Sequence, residues 1–173
     1  FERTEAELRR AYEKSVSDGK EERSGTCGCV AVLRGRRLLV AWVGDCRALL
    51  LRHEGHPEAC VQLTSDHRAT DSRAHPPHDQ FCSACPLRKA PAHVHLCLIT
   101  NARIETRAGE MSRVVKAGGE ISDGRVWGSL MPSRTLGDFP WKTKPGLIAE
   151  PEITEIELGP DDKCAHARNA PPA

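Results

Sequence analysis

The stretch Leu38–Leu51, LLVAWVGDCRALLL, joins two apolar runs through a bare Gly-Asp pair, Gly44 and Asp45. Another apolar run, CVAVLR, precedes it and is followed by a Gly-Arg pair at 35–36. Short runs rich in Val, Leu and Ala that are separated by such pairs are typical of strands joined by tight turns. The pattern predicts a three-stranded antiparallel meander, buried on both faces as in a sandwich, with Cys60–Thr64 as a fourth strand.

Helices and one further strand are predicted outside this region. Residues 1–15 place Leu8 and Tyr12 at helical spacing among charged residues. Residues 102–119 carry a partly helical apolar stripe that ends at a Gly-Gly pair, a common C-terminal stop. The segment ITEIEL, residues 153–158, alternates apolar and acidic residues and predicts a half-exposed strand.

Composition restricts the class of protein. The 173 residues suffice for one domain, and 25 Lys and Arg nearly balance 24 Asp and Glu, giving a net charge of +1. Such a balance favours neither nucleic acid nor an anionic membrane, and no apolar run has the roughly 18 residues a membrane-spanning helix needs. The eight Cys come without a secretory signal pattern, so we expect reduced thiols and a cytoplasmic or nuclear location. The oligomeric state stays open.

Asp45 taken alone indicates only a turn. Asp after Gly is favoured in turns because Asp tolerates unusual backbone angles and can bond to its own backbone.

Six segments, taken in chain order, indicate a second role for Asp45. Together they resemble consecutive motifs of the metal-dependent protein phosphatases, the PPM or type-2C serine/threonine phosphatase family, and plant-like members in particular. The family pattern runs Ser-Gly-Ser/Thr-Thr-Ala, VGDSRA, LTxDH, AGG, SRxLGD and EPE. The matching segments are 24–32, 43–48, 63–67, 117–119, 133–138 and 150–152.

The resemblance implies an α+β fold, in which two antiparallel β-sheets pack as a sandwich flanked by helices, here incomplete at both ends. It also implies Mg²⁺ or Mn²⁺ as cofactor and phosphoproteins as substrates, with a metal-activated water hydrolysing phosphoserine and phosphothreonine esters.

The resemblance carries over one metal ligand. Asp45 matches the VGD aspartate, which implies that it helps to hold an additional, weaker Mg²⁺ or Mn²⁺. Four further residues match positions that shape the site, and His67 is expected to organise a turn with one of them; no catalytic residue is assigned. The site-shaping residues are Gly44, Asp66, Arg134 and Asp138.

Other metal ligands of the family have no counterpart in the sequence. The DGHGG segment, whose Asp and Gly carbonyl ligate the two core metals, is absent, and so are the later DG and DN aspartates. One carboxylate cannot supply the roughly six oxygen ligands that each such ion takes. We therefore expect the 173-residue polypeptide to be inactive by itself, and a non-catalytic phosphatase-like binding module is the alternative.

Residues 73–100 are rich in Cys, His and Pro and are predicted to interrupt a partial phosphatase domain at 1–163, followed by an unrelated tail at 164–173. A CxxC pair with nearby His and Cys is suitable for tetrahedral zinc, although the second half lacks the usual ligand spacing. A zinc-dependent interaction module is thus one interpretation, and an insertion without a metal is the other. The candidate zinc ligands are Cys82, Cys85, His93, His95 and Cys97.

Overall fold

The hairpin predicted at 35–36 joins two strands of the first sheet in this computed structural model. Strands β2 (Gly28–Arg34) and β3 (Arg37–Val43) pair antiparallel around it, and β10 (Glu152–Glu157) pairs with the other edge of β3. The structure describes residues 1–20, 22–51, 60–68, 94–99, 108–159 and 165–169, with only the backbone at 51, 60, 94–99, 108 and 165–169.

The second sheet has the order β11-β6-β4-β5. Its members are β4 (Arg47–Leu51), β5 (Cys60–Gln62), β6 (Val94–Ile99) and β11 (Ala165–Asn169). The pairs β4–β5 and β4–β6 are antiparallel, and β11 runs parallel to β6. The fourth strand predicted near residue 60 is therefore confirmed.

The predicted meander is wrong at Gly44-Asp45. Strands β3 and β4 do not pair: β3 belongs to the first sheet and β4 to the second, so the pair forms a corner between sheets. Gly44 adopts φ +90°, and a Cβ on it would overlap the Cys27 sulfur, so only glycine fits this corner. When two strands are apolar on both faces, the sequence does not show whether they pair with each other in one sheet or belong to different sheets, because either face of each strand can be buried.

The sandwich prediction is confirmed by the core between the two sheets. Leu38, Val40 and Trp42 of β3 pack against Ala48 and Leu50 of β4. Leu63 and Leu158 complete this cluster. Burial on both faces holds for β4, since consecutive Leu49 and Leu50 are both buried. It is wrong for β2, where Val30, Val32 and Leu33 are exposed, because β2 is an edge strand of its sheet in the described part of the chain.

Short elements connect the sheets to the helices. Two small antiparallel pairs join β1 (Gly25–Thr26) to β9 (Leu136–Gly137) and β7 (Ile121–Ser122) to β8 (Arg125–Val126). None of the helices in the described ranges is long and apolar enough to cross a bilayer.

Both predicted helices are present, as α1 (Glu2–Ser17) and α2 (Ala108–Lys116), followed by a short α3 (Phe139–Lys142). Only part of the apolar stripe of α2 faces the protein interior, because Val114 is buried whereas Met111 and Val115 are exposed. Strand β10 is half-exposed as predicted, with Ile153 on its outer face.

Strands β6 and β11 lie inside the predicted insert and tail, where the sequence showed no strand pattern. The division of the chain into a partial domain, an insert and a tail stays a prediction.

Candidate functional site

Asp45 sits at the corner between the sheets with both carboxylate oxygens engaged. Its Oδ2 accepts hydrogen bonds from Arg68 Nη2 at 2.5 Å and Nε at 3.2 Å. Its Oδ1 accepts one from the Cys27 thiol at 3.2 Å. Burial favours the protonated acid, but the bonds from Arg68 and Cys27 outweigh it and lower the pKa of the Asp45 carboxyl. Asp45 is thus an ion-paired carboxylate.

Asp66 forms a second buried ion pair beside the first. Arg47 donates to its two oxygens in a bidentate arrangement, with both distances 2.8 Å, and Arg68 Nε lies 3.8 Å away. Complete burial raises the pKa of the Asp66 carboxyl to about 7, although the two guanidinium groups oppose this shift. Arg68 therefore links Asp45 and Asp66, two of the residues predicted from the sequence.

The His67 side chain holds the backbone of the corner in place. Its Nδ1 accepts a hydrogen bond from the Gly44 N–H at 3.0 Å, and its ring stacks on Trp42 at a centroid distance of 5.8 Å. Burial and then the charge of Arg134 lower the pKa of His67 to about 4. Its Nε2 lies 3.8 Å from Glu152 Oε1 and makes no hydrogen bond. The turn-organising prediction for His67 agrees with this geometry.

Arg134 belongs to a network that sequence reasoning missed. Its guanidinium donates to Glu110 Oε1 at 3.1 and 2.5 Å, to the Glu150 carbonyl at 3.0 Å and to Glu152 Oε1 at 3.2 Å. Glu110 also accepts bonds from Ser133 Oγ at 2.5 Å and from Arg113 at 3.0 to 3.2 Å.

Glu110 holds this network together as a buried charge on α2. Burial disfavours the carboxylate, yet the bonds from Arg134, Arg113 and Ser133 lower its pKa to about 2. Helical spacing could have indicated that Glu110 is buried, since Glu110 lies four residues before the buried Val114 and therefore on the same face of the helix.

Asp138 reaches the same cleft as Asp45. The cleft has a volume of about 430 Å³ and is also lined by Cys27, Cys46 and Thr135. Asp138 adopts φ 52° at the start of α3, and a Cβ on Gly25 would overlap its carboxylate. Desolvation by burial raises the pKa of Asp138. Asp138 thus shares the cleft with Asp45, whereas Asp66 pairs with Arg47 and Arg134 pairs with Glu110.

The described residues do not fit a two-metal centre. No group of three or more His, Cys, Asp or Glu in the described part of the chain could hold a metal ion. Asp45 also faces the Arg68 guanidinium, whose positive charge opposes a second cation. The assignment of Asp45 as a Mg²⁺ or Mn²⁺ ligand therefore stays a prediction.

The predicted zinc ligands fall outside what the structure describes. Cys82, Cys85 and His93 lie in a segment that is not described, and His95 and Cys97 are described only as backbone of β6. The zinc hypothesis stays a prediction.

Comparison with known proteins identifies the family to which the chain is similar. The model of the protein phosphatase 2C family matches residues 1–73 and 98–165. Among curated proteins, the chain is 32% identical over 144 residues to "Probable protein phosphatase 2C 2" of rice, covering 81% of this chain and 27% of that protein. A Paramecium tetraurelia protein of the same name is 29% identical over 155 residues, covering 86% and 38%.

Solved structures share the fold at lower identity. A serine-threonine phosphatase 2C from Toxoplasma gondii superposes with a TM-score of 0.53 at 17% identity, covering 91% of this chain and 43% of that one. A Caenorhabditis elegans sex-determining protein gives a TM-score of 0.56 at 22% identity, covering 92% and 30%. The chain spans roughly a quarter to two fifths of the two curated relatives above. With its family motifs in order on a sandwich of this architecture, the chain belongs to the protein phosphatase 2C family.

Proposed function

We propose that this protein is a metal-dependent serine/threonine phosphatase that hydrolyses phosphoserine and phosphothreonine esters of phosphoproteins. The observation that carries the proposal is the family match on both sides of residues 74–97, in a chain whose two sheets pack as the family sandwich. Mg²⁺ or Mn²⁺ is the proposed cofactor, and a cytoplasmic or nuclear location is proposed with it.

For residues 1–173 on their own we propose no catalysis. The carboxylate of Asp45 is neutralised by Arg68, and the described residues contain no group of three or more His, Cys, Asp or Glu that could hold a metal ion. We propose a structural role for the network in which Glu110 pairs with Arg134. No hydrolytic step is therefore assigned to any of them.

The same ion pair favours a second candidate function, a non-catalytic module that binds phosphoproteins. A guanidinium group can bind a phosphate through N–H donors, and the buried Arg68 donates to Asp45, which lines the cleft. In this function Asp45 keeps Arg68 oriented and metal is not required.

Two measurements on one preparation separate these functions. The first is phosphate release from a phosphothreonine peptide with Mn²⁺, and the second is calorimetric titration with Mn²⁺ alone. For the 173-residue chain we expect release no faster than the blank and at most one weak Mn²⁺ site. Mn²⁺-dependent turnover that disappears in Asp45→Asn would overturn the inactivity of this chain and make it a phosphatase in its own right.

Peptide binding then tests the second candidate. Fluorescence polarisation compares the phosphothreonine peptide with its unphosphorylated twin in the presence of a chelator. Binding of only the phosphorylated peptide, weakened at least tenfold by Arg68→Met, would support the binding module. Equal binding of both peptides would reject it.

A further inference from the structure

Two cysteines from separate segments of the chain lie beside Asp45. Cys27 lies between β1 and β2, and Cys46 immediately precedes β4. Both side chains line the 430 Å³ cleft, and the Cys27 sulfur lies 3.2 Å from Oδ1 of Asp45, the residue that precedes Cys46. Neither forms a disulfide. The cleft wall therefore contains a neighbouring pair of thiols.

The backbone holds the two cysteines close. Gly28, next to Cys27, pairs with Val43 at the end of β3, so the Cys27 segment runs directly beside the corner. Gly44 leaves space for the Cys27 sulfur, since a Cβ on that residue would overlap it. The Cys27 thiol then reaches Asp45 Oδ1 at 3.2 Å. The two thiols are therefore positioned by strand pairing and by the absence of a side chain at Gly44.

Cysteine at both positions departs from the family pattern described above. The pattern Ser-Gly-Ser/Thr-Thr-Ala has Thr where this chain has Cys27, and VGDSRA has Ser where it has Cys46. Two hydroxyl groups at these positions could not be cross-linked by oxidation, whereas two thiols can. Both departures fall on the two cysteines that line the cleft.

The geometry points to a redox-active dithiol: Cys27 and Cys46 form a disulfide at the cleft wall when the protein meets a hydroperoxide. The thiolate sulfur of one cysteine attacks the outer peroxide oxygen, the O–O bond breaks, and water or an alcohol leaves. The sulfur of the other cysteine then attacks the resulting sulfenic acid, and its hydroxyl departs as water. Two thiols have lost two electrons and two protons, and the peroxide has been reduced.

Oxidation changes the surroundings of Asp45. A disulfide has no S–H, so Cys27 can no longer donate to Asp45 Oδ1, and Arg68 is left as the donor on that carboxylate. The dithiol thus couples the oxidation state of the protein to the residue at the sheet corner. This inference does not depend on phosphatase activity.

Peptide mapping of the full chain tests the proposal. The reduced protein is treated with hydrogen peroxide, free thiols are alkylated, and the protein is digested with trypsin without reductant. Cleavage after Arg and Lys places Cys27 in peptide 24–34 and Cys46 in peptide 38–47. We expect these two peptides as a cross-linked species two hydrogens lighter than their sum, and separate peptides after reduction.

Three variants locate the bond. Peptide 24–34 also contains Cys29, which packs against the core cluster, so Cys29→Ala is the matched control and should keep the cross-link. Cys27→Thr and Cys46→Ser, which restore the family residues, should reduce it to background while circular dichroism verifies that they fold. Absence of the 24–34/38–47 species from oxidised wild-type protein, or its persistence in Cys27→Thr, would overturn the proposal.

Discussion

Arg134 and Glu110 lie 24 residues apart in the chain, yet their side chains share two hydrogen bonds of 3.1 and 2.5 Å while both are buried. The pair connects α2 to the segment before α3, and Arg134 continues to Glu152 at the start of β10. Two ion pairs of Arg134 thus join three parts of the chain.

Arg134→Met should strongly destabilise the protein. The substitution keeps much of the side-chain volume but leaves Glu110 as a buried carboxylate without its main partner, and breaking a buried pair in this way costs about 3–5 kcal/mol. Urea denaturation measures the loss in the free energy of unfolding. The matched control is Arg37→Met, which removes an exposed pair with Glu155 and should cost less than about 1 kcal/mol. Equal losses in the two variants would contradict a structural role for the buried pair.

Glu110 should make the protein sensitive to acid. Its pKa falls from 4.5 to about 2 in the folded state, so its contribution is fully present above pH 4.5 and is lost as the pH drops towards 2. A shift of this size corresponds to about 3 kcal/mol at 1.36 kcal/mol per pKa unit. The difference in unfolding free energy between wild type and Glu110→Gln should therefore shrink across that window. A difference that stays constant across that window would disprove the assignment.

His67 should stay uncharged well below the usual range for histidine. Burial lowers its pKa from 6.5 to about 4, so the fold favours the neutral ring, and this contribution is present above pH 6.5 and declines as the pH falls from 6.5 to 4. NMR titration of the ring proton, identified by its absence in His67→Gln, measures the pKa directly. The same resonance in urea-unfolded protein should titrate near 6.5. A folded-state midpoint at 6 or above would reject the burial argument.

Gly44→Ala should destabilise the corner between the sheets. Alanine at φ +90° is strained, and its Cβ would overlap the Cys27 sulfur, so we expect a loss of about 2–4 kcal/mol from strain and overpacking combined. Gly35→Ala is the control, because Gly35 has φ +62° with open space around it and should lose only about 1–2 kcal/mol. Adding Cys27→Ala should restore part of the loss at Gly44 only. Equal effects at both glycines without such rescue would argue against the overlap.

Local patterns in the sequence determined the hairpin at 35–36, helices α1 and α2, and the half-exposed strand β10. These features depend on side-chain periodicity and on turn residues, which act over a few neighbours in the chain. The order of the motifs also predicted the family, whereas the site-shaping roles of Gly44, Asp66 and Asp138 stay predictions.

Only the tertiary structure decided how these pieces meet. The sequence could not reveal that the chain changes sheets at Gly44-Asp45, because two apolar strands can be buried against each other or against different partners. It also could not pair Asp45 with Arg68 and Cys27, or Glu110 with Arg134, since such contacts join segments 18 to 24 residues apart. Gly44 and Asp45 are adjacent in the sequence, but their role as the corner between two sheets is set by the packing of one sheet on the other.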